Sequence, residues 1–202
     1  MGETPAAGEI FSSPVEKDPG AGHYALMPTL PAAELTMRDL LAEYPWARRA
    51  LFQKYHIGGC ASCGFSDEEP LSEVCERSGV SPEEVLLGVR QAHEQDEAMM
   101  MDPADALAGA GSWTIVDIRT KDEFDAVRIP GSLHFDQTLS TEVMTTWDKD
   151  RPVLIVDHTG TRALDAAAYF AGHGFSNVRC LRGGIDAYSR DADPSLPRYA
   201  LE

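Results

Sequence analysis

After Met101-Asp102-Pro103 the chain changes rhythm: short β-branched and apolar runs at 113–118, 153–157 and 178–181 alternate with helix-patterned stretches at 121–127 and 162–173. Strands separated by helices cannot be joined as hairpins, so each connection has to cross over and the strands must run parallel. A parallel sheet in turn needs helices on its faces to bury both sides. Residues 98–202 therefore predict an α/β domain with a parallel sheet.

The stretch before it has a different period. Across residues 32–97, Leu35, Leu40 and Leu41, then Trp46, Ala50, Leu51 and Tyr55, then Leu71, Val74, Cys75 and Ser78, then Val85, Leu86 and Val89 recur at helical spacing. Local signals agree. Thr36 with Asp39 forms a capping box, Pro45 suits a first helical turn, Gly58 and Gly59 close the second helix, and Ser81-Pro82-Glu83-Glu84 is a strong helix start. This predicts a small all-α domain whose roughly 60 residues can bury only a modest core. Residues 1–31 carry Pro5, Pro14, Pro19, Pro28 and Pro31 with four glycines and no period, and read as a tail.

Composition limits the function classes. Hydrophobic residues make up 43% of the chain, which excludes a wholly disordered protein. With 17 Lys+Arg against 33 Asp+Glu the formal net charge is −16, a surface that repels phosphate backbones, so nucleic acid is not an expected partner. The acidity is shared, with nets of −3 over residues 1–30, −7 over 31–97 and −6 over 98–202. That pattern suits a solvated surface or a basic protein partner rather than an acidic arm. No secretory leader pattern and no run near the roughly 20 apolar residues of a membrane span is visible, so a cytoplasmic setting is expected.

Four cysteines without regular spacing argue for reduced thiols, metal ligation or redox work rather than a disulfide framework. Cys60 and Cys63, two residues apart between glycines 58, 59 and 64, can close a small disulfide, hold a metal in bidentate fashion, or share a proton so that one thiol is acidified. Cys75 shares a helical face with Leu71, Val74 and Ser78 and is expected to point inward. Cys180, in the run 178–181, reads as a small apolar filler of a buried strand, and Trp113 and Tyr188 as packing residues.

In the second half, Ile115-Val116-Asp117-Ile118-Arg119, Glu123-Phe124, Ile129-Pro130-Gly131-Ser132 and Leu181-Arg182-Gly183-Gly184-Ile185 stand in an order and spacing that closely resemble a rhodanese domain over residues 103–190. In that family the loop after a strand of the Val153-Leu154-Ile155-Val156 type opens with the catalytic cysteine and closes at a helix N-terminus. The matching turn here is Asp157, His158, Thr159, Gly160, Thr161 and Arg162, so the resemblance implies a degenerate, catalytically inactive loop. A carboxylate can accept the loop N–H bonds but cannot take up a sulfane sulfur. Asp157 is expected to occupy the anion cradle itself and to act as an N-cap, worth about 1 kcal/mol. The other readings of this turn are an acid/base pair of Asp157 with His158, with His158 otherwise an ordinary loop residue, and an Arg162 side chain that either pairs with Asp157 or is solvated. Asp117 and Arg119 match the family's Asp-x-Arg element and are expected to fix the strand end.

The surroundings of the cysteine pair, from Leu35-Thr36-Met37-Arg38-Asp39 through Tyr55-His56-Ile57 to Pro82-Glu83-Glu84-Val85-Leu86, resemble the hybrid-cluster-protein-associated redox disulfide domain, and are also similar to the N-terminal domain of iron–sulfur cluster repair proteins. That resemblance implies thiol redox or iron-linked chemistry at Cys60 and Cys63. Three outcomes stay open: a dithiol–disulfide couple; an iron–sulfur cluster or zinc held by Cys60, Cys63 and Cys75, with His56, Cys180 or another chain completing the set; or inert thiols and no cofactor.

Together these features lead to an expected accessory redox or iron–sulfur-linked protein with an inactive rhodanese-like scaffold, working with a redox or sulfur-handling protein or a larger complex. The alternatives are a sulfurtransferase or sulfur carrier with its persulfide on an N-terminal cysteine, and a structural subunit.

Overall fold

A computed structural model describes residues 34–59 and 64–199 of the chain. Four helices come first, α1 (Met37–Glu43), α2 (Ala47–Tyr55), α3 (Leu71–Ser78) and α4 (Pro82–Met99). The start signals at two of them act as the sequence leads one to expect. The Thr36 hydroxyl accepts from the Asp39 amide while the Asp39 carboxylate accepts from the Thr36 amide. Ser81 caps α4 by accepting from the Glu84 amide, with Pro82 in the first turn where no N–H is needed.

Helix α2 departs from expectation at both ends. Pro45 lies in the turn ahead of the helix, with Trp46 as its cap, rather than in the first helical turn. At the other end the chain leaves at His56, whose φ of 55° is left-handed and whose amide reaches the carbonyls of Leu51 and Phe52. The helix thus closes before Gly58 and Gly59, and the backbone freedom of Gly58 (φ 90°) serves the following turn instead. Leu40, Leu51, Ile57, Leu71, Val74 and Val85 form the core of this helical half.

The remainder is β1 (Met100–Met101), α5 (Pro103–Ala108), β2 (Thr114–Asp117), α6 (Lys121–Ala126), β3 (Leu133–His134), α7 (Gln137–Thr146), β4 (Val153–Val156), α8 (Ala163–Gly172), β5 (Val178–Leu181) and α9 (Gly184–Asp191). The sheet order is β1-β5-β4-β2-β3, and every pairing is parallel. This is the expected all-α region followed by an α/β region with a parallel sheet. Strand β4 is central and buried along its whole length, which is why 153–156 is an uninterrupted apolar run rather than an alternating one.

The two halves are continuous in structure. The boundary expected near residue 97 falls inside α4, which runs directly into the edge strand β1. Ion pairs reinforce the junction: Arg49 of α2 reaches Asp96 of α4 at 2.9 Å and Asp165 of α8 at 2.8 Å, and Arg182 reaches Glu97 at 2.9 Å and Asp102 at 2.7 Å. Asp96 is 3% exposed, and its burial outweighs the Arg49 guanidinium, holding its carboxyl above the usual carboxylate range. Among the described residues no helix is long and apolar enough to cross a membrane.

Removing Arg49 would leave the Asp96 carboxyl buried without its partner. Arg49→Ala is therefore expected to destabilise the chain by roughly 2–3 kcal/mol in denaturant unfolding. Asp96→Asn should cost less, and the double variant less than the two single changes summed, because both report one interaction.

Candidate functional site

In a parallel sheet, the loops that leave the carboxyl ends of the strands gather at one edge, and ligands bind there. Here the ends of β2 and β4 bring Asp117, Arg119 and the 157–162 loop to that edge. Asp117 is 1% exposed and Arg119 is 3% exposed, a buried ion pair. The Arg119 guanidinium donates Nη2–H to Asp117 Oδ2 at 2.6 Å and to the Val127 carbonyl at 2.7 Å, Nε–H to Asp117 Oδ1 at 2.9 Å, and Nη1–H to the Tyr199 hydroxyl at 2.6 Å. Asp117 and Arg119 therefore fix the strand end, and they also anchor the segment that follows α9.

Asp157 leaves β4 with its side chain turned back into its own loop and is 2% exposed. Its Oδ1 accepts from the Gly160 amide at 2.5 Å and its Oδ2 from the Arg162 amide at 2.7 Å. The carboxylate thus sits where the loop's amides converge, as expected of an internal anion. The residue in the formal N-cap position of α8 is Arg162, however, and Asp157 caps the helix from outside through the Arg162 amide. Arg162 contributes that backbone donor, while its side chain is exposed and makes no ion pair with Asp157. Thr159 and Thr161 are exposed, their hydroxyls 3.3 Å apart.

Nor do Asp157 and His158 form an acid/base pair. The His158 ring is turned onto Tyr199, centroids 4.7 Å apart, and its Nδ1 is buried with no hydrogen-bond partner among the described residues. His158 is half-buried rather than an ordinary exposed loop residue. The loop is locked from behind as well, because the Ile185 amide donates to the Asp157 carbonyl at 2.9 Å and the Asp186 amide to the His158 carbonyl at 3.1 Å. Gly184 makes that approach possible: at φ 60°, a Cβ there would lie 2.4 Å from the His158 carbonyl oxygen.

The cysteines divide into two groups. Cys180 is fully buried in β5, and burial, with the charges of Asp157 and Asp96, pushes its thiol up to about 12. Cys75 is fully buried in the helical core, and burial with the charge of Glu83 pushes it up to about 11. Both thiols stay protonated near neutral pH and are poor nucleophiles. Cys60 and Cys63 lie outside the described residues, as does the expected tail over 1–31. Their flanks are described. The Phe52 ring covers Gly59, the Phe65 ring covers Gly58 with the Arg48 guanidinium 4.9 Å over it, and Arg77 donates to the Gly64 carbonyl at 3.1 Å. His56 is exposed at the left-handed end of α2, edge-on to Phe52.

Sequence reasoning missed Tyr199 and the Arg49–Asp96–Asp165 cluster. A lone aromatic after Pro197-Arg198 carries no period, and ion pairs between distant segments leave no local trace.

Residues 100–191 match the model of the rhodanese-like domain. The thiosulfate sulfurtransferase GlpE of Pseudomonas syringae pv. syringae is 33% identical over 87 residues, covering 43% of this chain and 81% of that protein. The enzyme of the same name from Pseudomonas entomophila is 36% identical over 93 residues, covering 46% and 85%. Among solved structures, a rhodanese-related protein from Thermoplasma volcanium is 19% identical with a TM-score of 0.42, covering 48% of this chain and 96% of that one.

Truncating Asp157 would leave two loop amides without acceptors. Asp157→Ala is expected to lower stability by about 2 kcal/mol, whereas Asp157→Cys, which keeps an acceptor at the same point, should retain the fold. Thermal unfolding followed by circular dichroism checks both, and gross unfolding of the cysteine variant would contradict the placement of the loop.

Proposed function

Since the chain belongs to the rhodanese-like family, with residues 100–191 as its family domain, we propose that it is an accessory redox protein working through the thiols of Cys60 and Cys63, and that its family domain is a scaffold or docking module without sulfurtransferase activity of its own. The observation that carries this reading is the Asp157 carboxylate, which stands where a loop thiol would be needed and takes up the Gly160 and Arg162 amides itself. The remaining thiols support it, since Cys75 and Cys180 are both sealed and held protonated. Thiol chemistry therefore falls to the pair between Gly59 and Gly64.

The proposed step is thiol–disulfide exchange with a redox or sulfur-handling partner. One thiolate of the pair attacks a partner disulfide and displaces one partner thiolate, forming a mixed disulfide. The second thiolate of the pair then attacks the sulfur of its neighbour in that mixed disulfide and displaces the other partner thiolate. Two electrons pass to the partner, which leaves as a dithiol once its thiolates take up protons, and the Cys60–Cys63 disulfide remains. The glycines on either side leave the backbone free to bring the two sulfurs together.

A metal at this site would need further donors. Cys75 is fully buried among apolar side chains while His56 is exposed on the surface, which weighs against a coordination sphere that draws on both. The dithiol reading is preferred for that reason over an iron–sulfur cluster or zinc. A second reading is favoured by the relatives named thiosulfate sulfurtransferase. In it, Cys60 or Cys63 attacks the outer sulfur of thiosulfate, releases sulfite and carries the persulfide.

Steady-state transfer of sulfur from thiosulfate to cyanide separates the two. The reduced full-length chain is expected to show no turnover. A rate that is abolished by Cys60→Ser or Cys63→Ser and unaffected by Asp157→Asn would establish the sulfur-carrier reading in its place.

A further inference from the structure

Beyond α9 the chain turns back toward the carboxyl edge of the sheet. The Asp193 carboxylate accepts from the Ser195 amide at 3.1 Å and from its hydroxyl at 2.6 Å, and the Leu196 amide donates to the Asp193 carbonyl at 3.1 Å, closing the turn. Arg198 then pairs with Asp186 through two bonds, at 2.8 and 3.0 Å. Asp186 also donates its amide to the His158 carbonyl, so one residue is tied to both the loop and the returning segment. The run ends at Tyr199, whose ring lies on His158 and whose hydroxyl accepts from Arg119 and donates to Glu123 at 3.0 Å.

These ties differ in kind from those of the sheet beneath. They are a half-exposed ion pair, with Arg198 at 53% and Asp186 at 23% side-chain exposure, two hydroxyl bonds and one ring stack; Ala192, Leu196 and Tyr199 add partly buried apolar packing. Segments held this way open more readily than buried strands. Closing the segment also has an adverse term, because the His158 Nδ1 lies buried with no partner among the described residues. An imidazole nitrogen stripped of water without a replacement bond favours the open state, in which water can reach it.

We propose that residues 192–199 form a displaceable strap that closes the carboxyl edge over the 157–162 loop, with Tyr199 as its latch. Closed, it clamps His158 and takes up the Nη1 donor of Arg119. Lifted, it returns His158 to water and frees that donor at the edge where a partner or ligand of a parallel sheet would dock. The Asp117–Arg119 pair and the β4 ladder stay in place in both states, since neither depends on Tyr199. This holds whether or not Cys60 and Cys63 act as a dithiol.

Residue-resolved amide exchange on the full chain tests it. Tyr199→Ala, which loses stack and hydroxyl, is expected to speed exchange at Gly160, Arg162 and Asp186 roughly tenfold, and Tyr199→Phe, which keeps the stack, by less, with the Leu154 and Ile155 amides of β4 unchanged. Arg198→Ala, outside the core, should shift the same three amides and no others. Equal acceleration in β4 would make the segment an ordinary part of the fold and overturn the proposal, as would unchanged loop exchange in all three variants.

Discussion

A guanidinium and a carboxylate buried together at the end of β2 organise the carboxyl edge of the sheet. Arg119 is almost fully withdrawn from water, and a charge in that position is tolerable only if its donors are satisfied. Asp117 takes two of its nitrogens, the Val127 carbonyl after α6 takes a further bond, and the Tyr199 hydroxyl takes another. Its own carbonyl accepts from His134 Nε2 at 2.9 Å, which fastens β3 to the same point. One side chain thereby fixes the strand end, the loop leading to the edge strand, and the segment that returns after α9.

The neighbouring strand end uses a carboxylate in the opposite way. Asp117 neutralises a buried cation, whereas Asp157 accepts from the convergent amides at the start of α8 and forms no ion pair among the described residues. Backbone dipoles suffice for it because two charge-assisted bonds of 2.5 and 2.7 Å replace its hydration. The same cradle would lower the pKa of a thiol. Filled by an acid that is one residue of the chain, it is closed to an outside anion, and the interlock of Gly184 with the His158 carbonyl keeps it closed.

How much of this is legible without coordinates follows the range of each interaction. The caps at Thr36 and Ser81 are local, and both appear where the residues place them. The apolar run 153–156 is legible as a fully buried strand because no polar residue interrupts it. Strands β1 and β3 are two residues long, too short for any period, and the connection of α4 straight into β1 hides a strand behind a helix. His56, not Gly58, ends α2 because the left-handed position falls two residues earlier than the glycine pair suggests. The Asp157 turn could be located from motif order, but its geometry could not: that Arg162 serves through its amide rather than its guanidinium, and that His158 turns away onto Tyr199, depends on where the chain returns some forty residues later.

In the proposed function, reactivity lies in the cysteine pair and not in the sheet domain or the helical core. Its most direct test is a mass-spectrometric map of all four thiols in the native full-length chain, equilibrated across a graded series of dithiol and disulfide buffers and trapped with an alkylating agent. Cys60 and Cys63 are expected to lose their two thiol hydrogens together in a single transition, while Cys75 and Cys180 remain thiols throughout and are alkylated only after unfolding. Cys60 and Cys63 persisting as separate thiols across the series, or Cys75 or Cys180 reacting at a comparable rate in the folded chain, would contradict it.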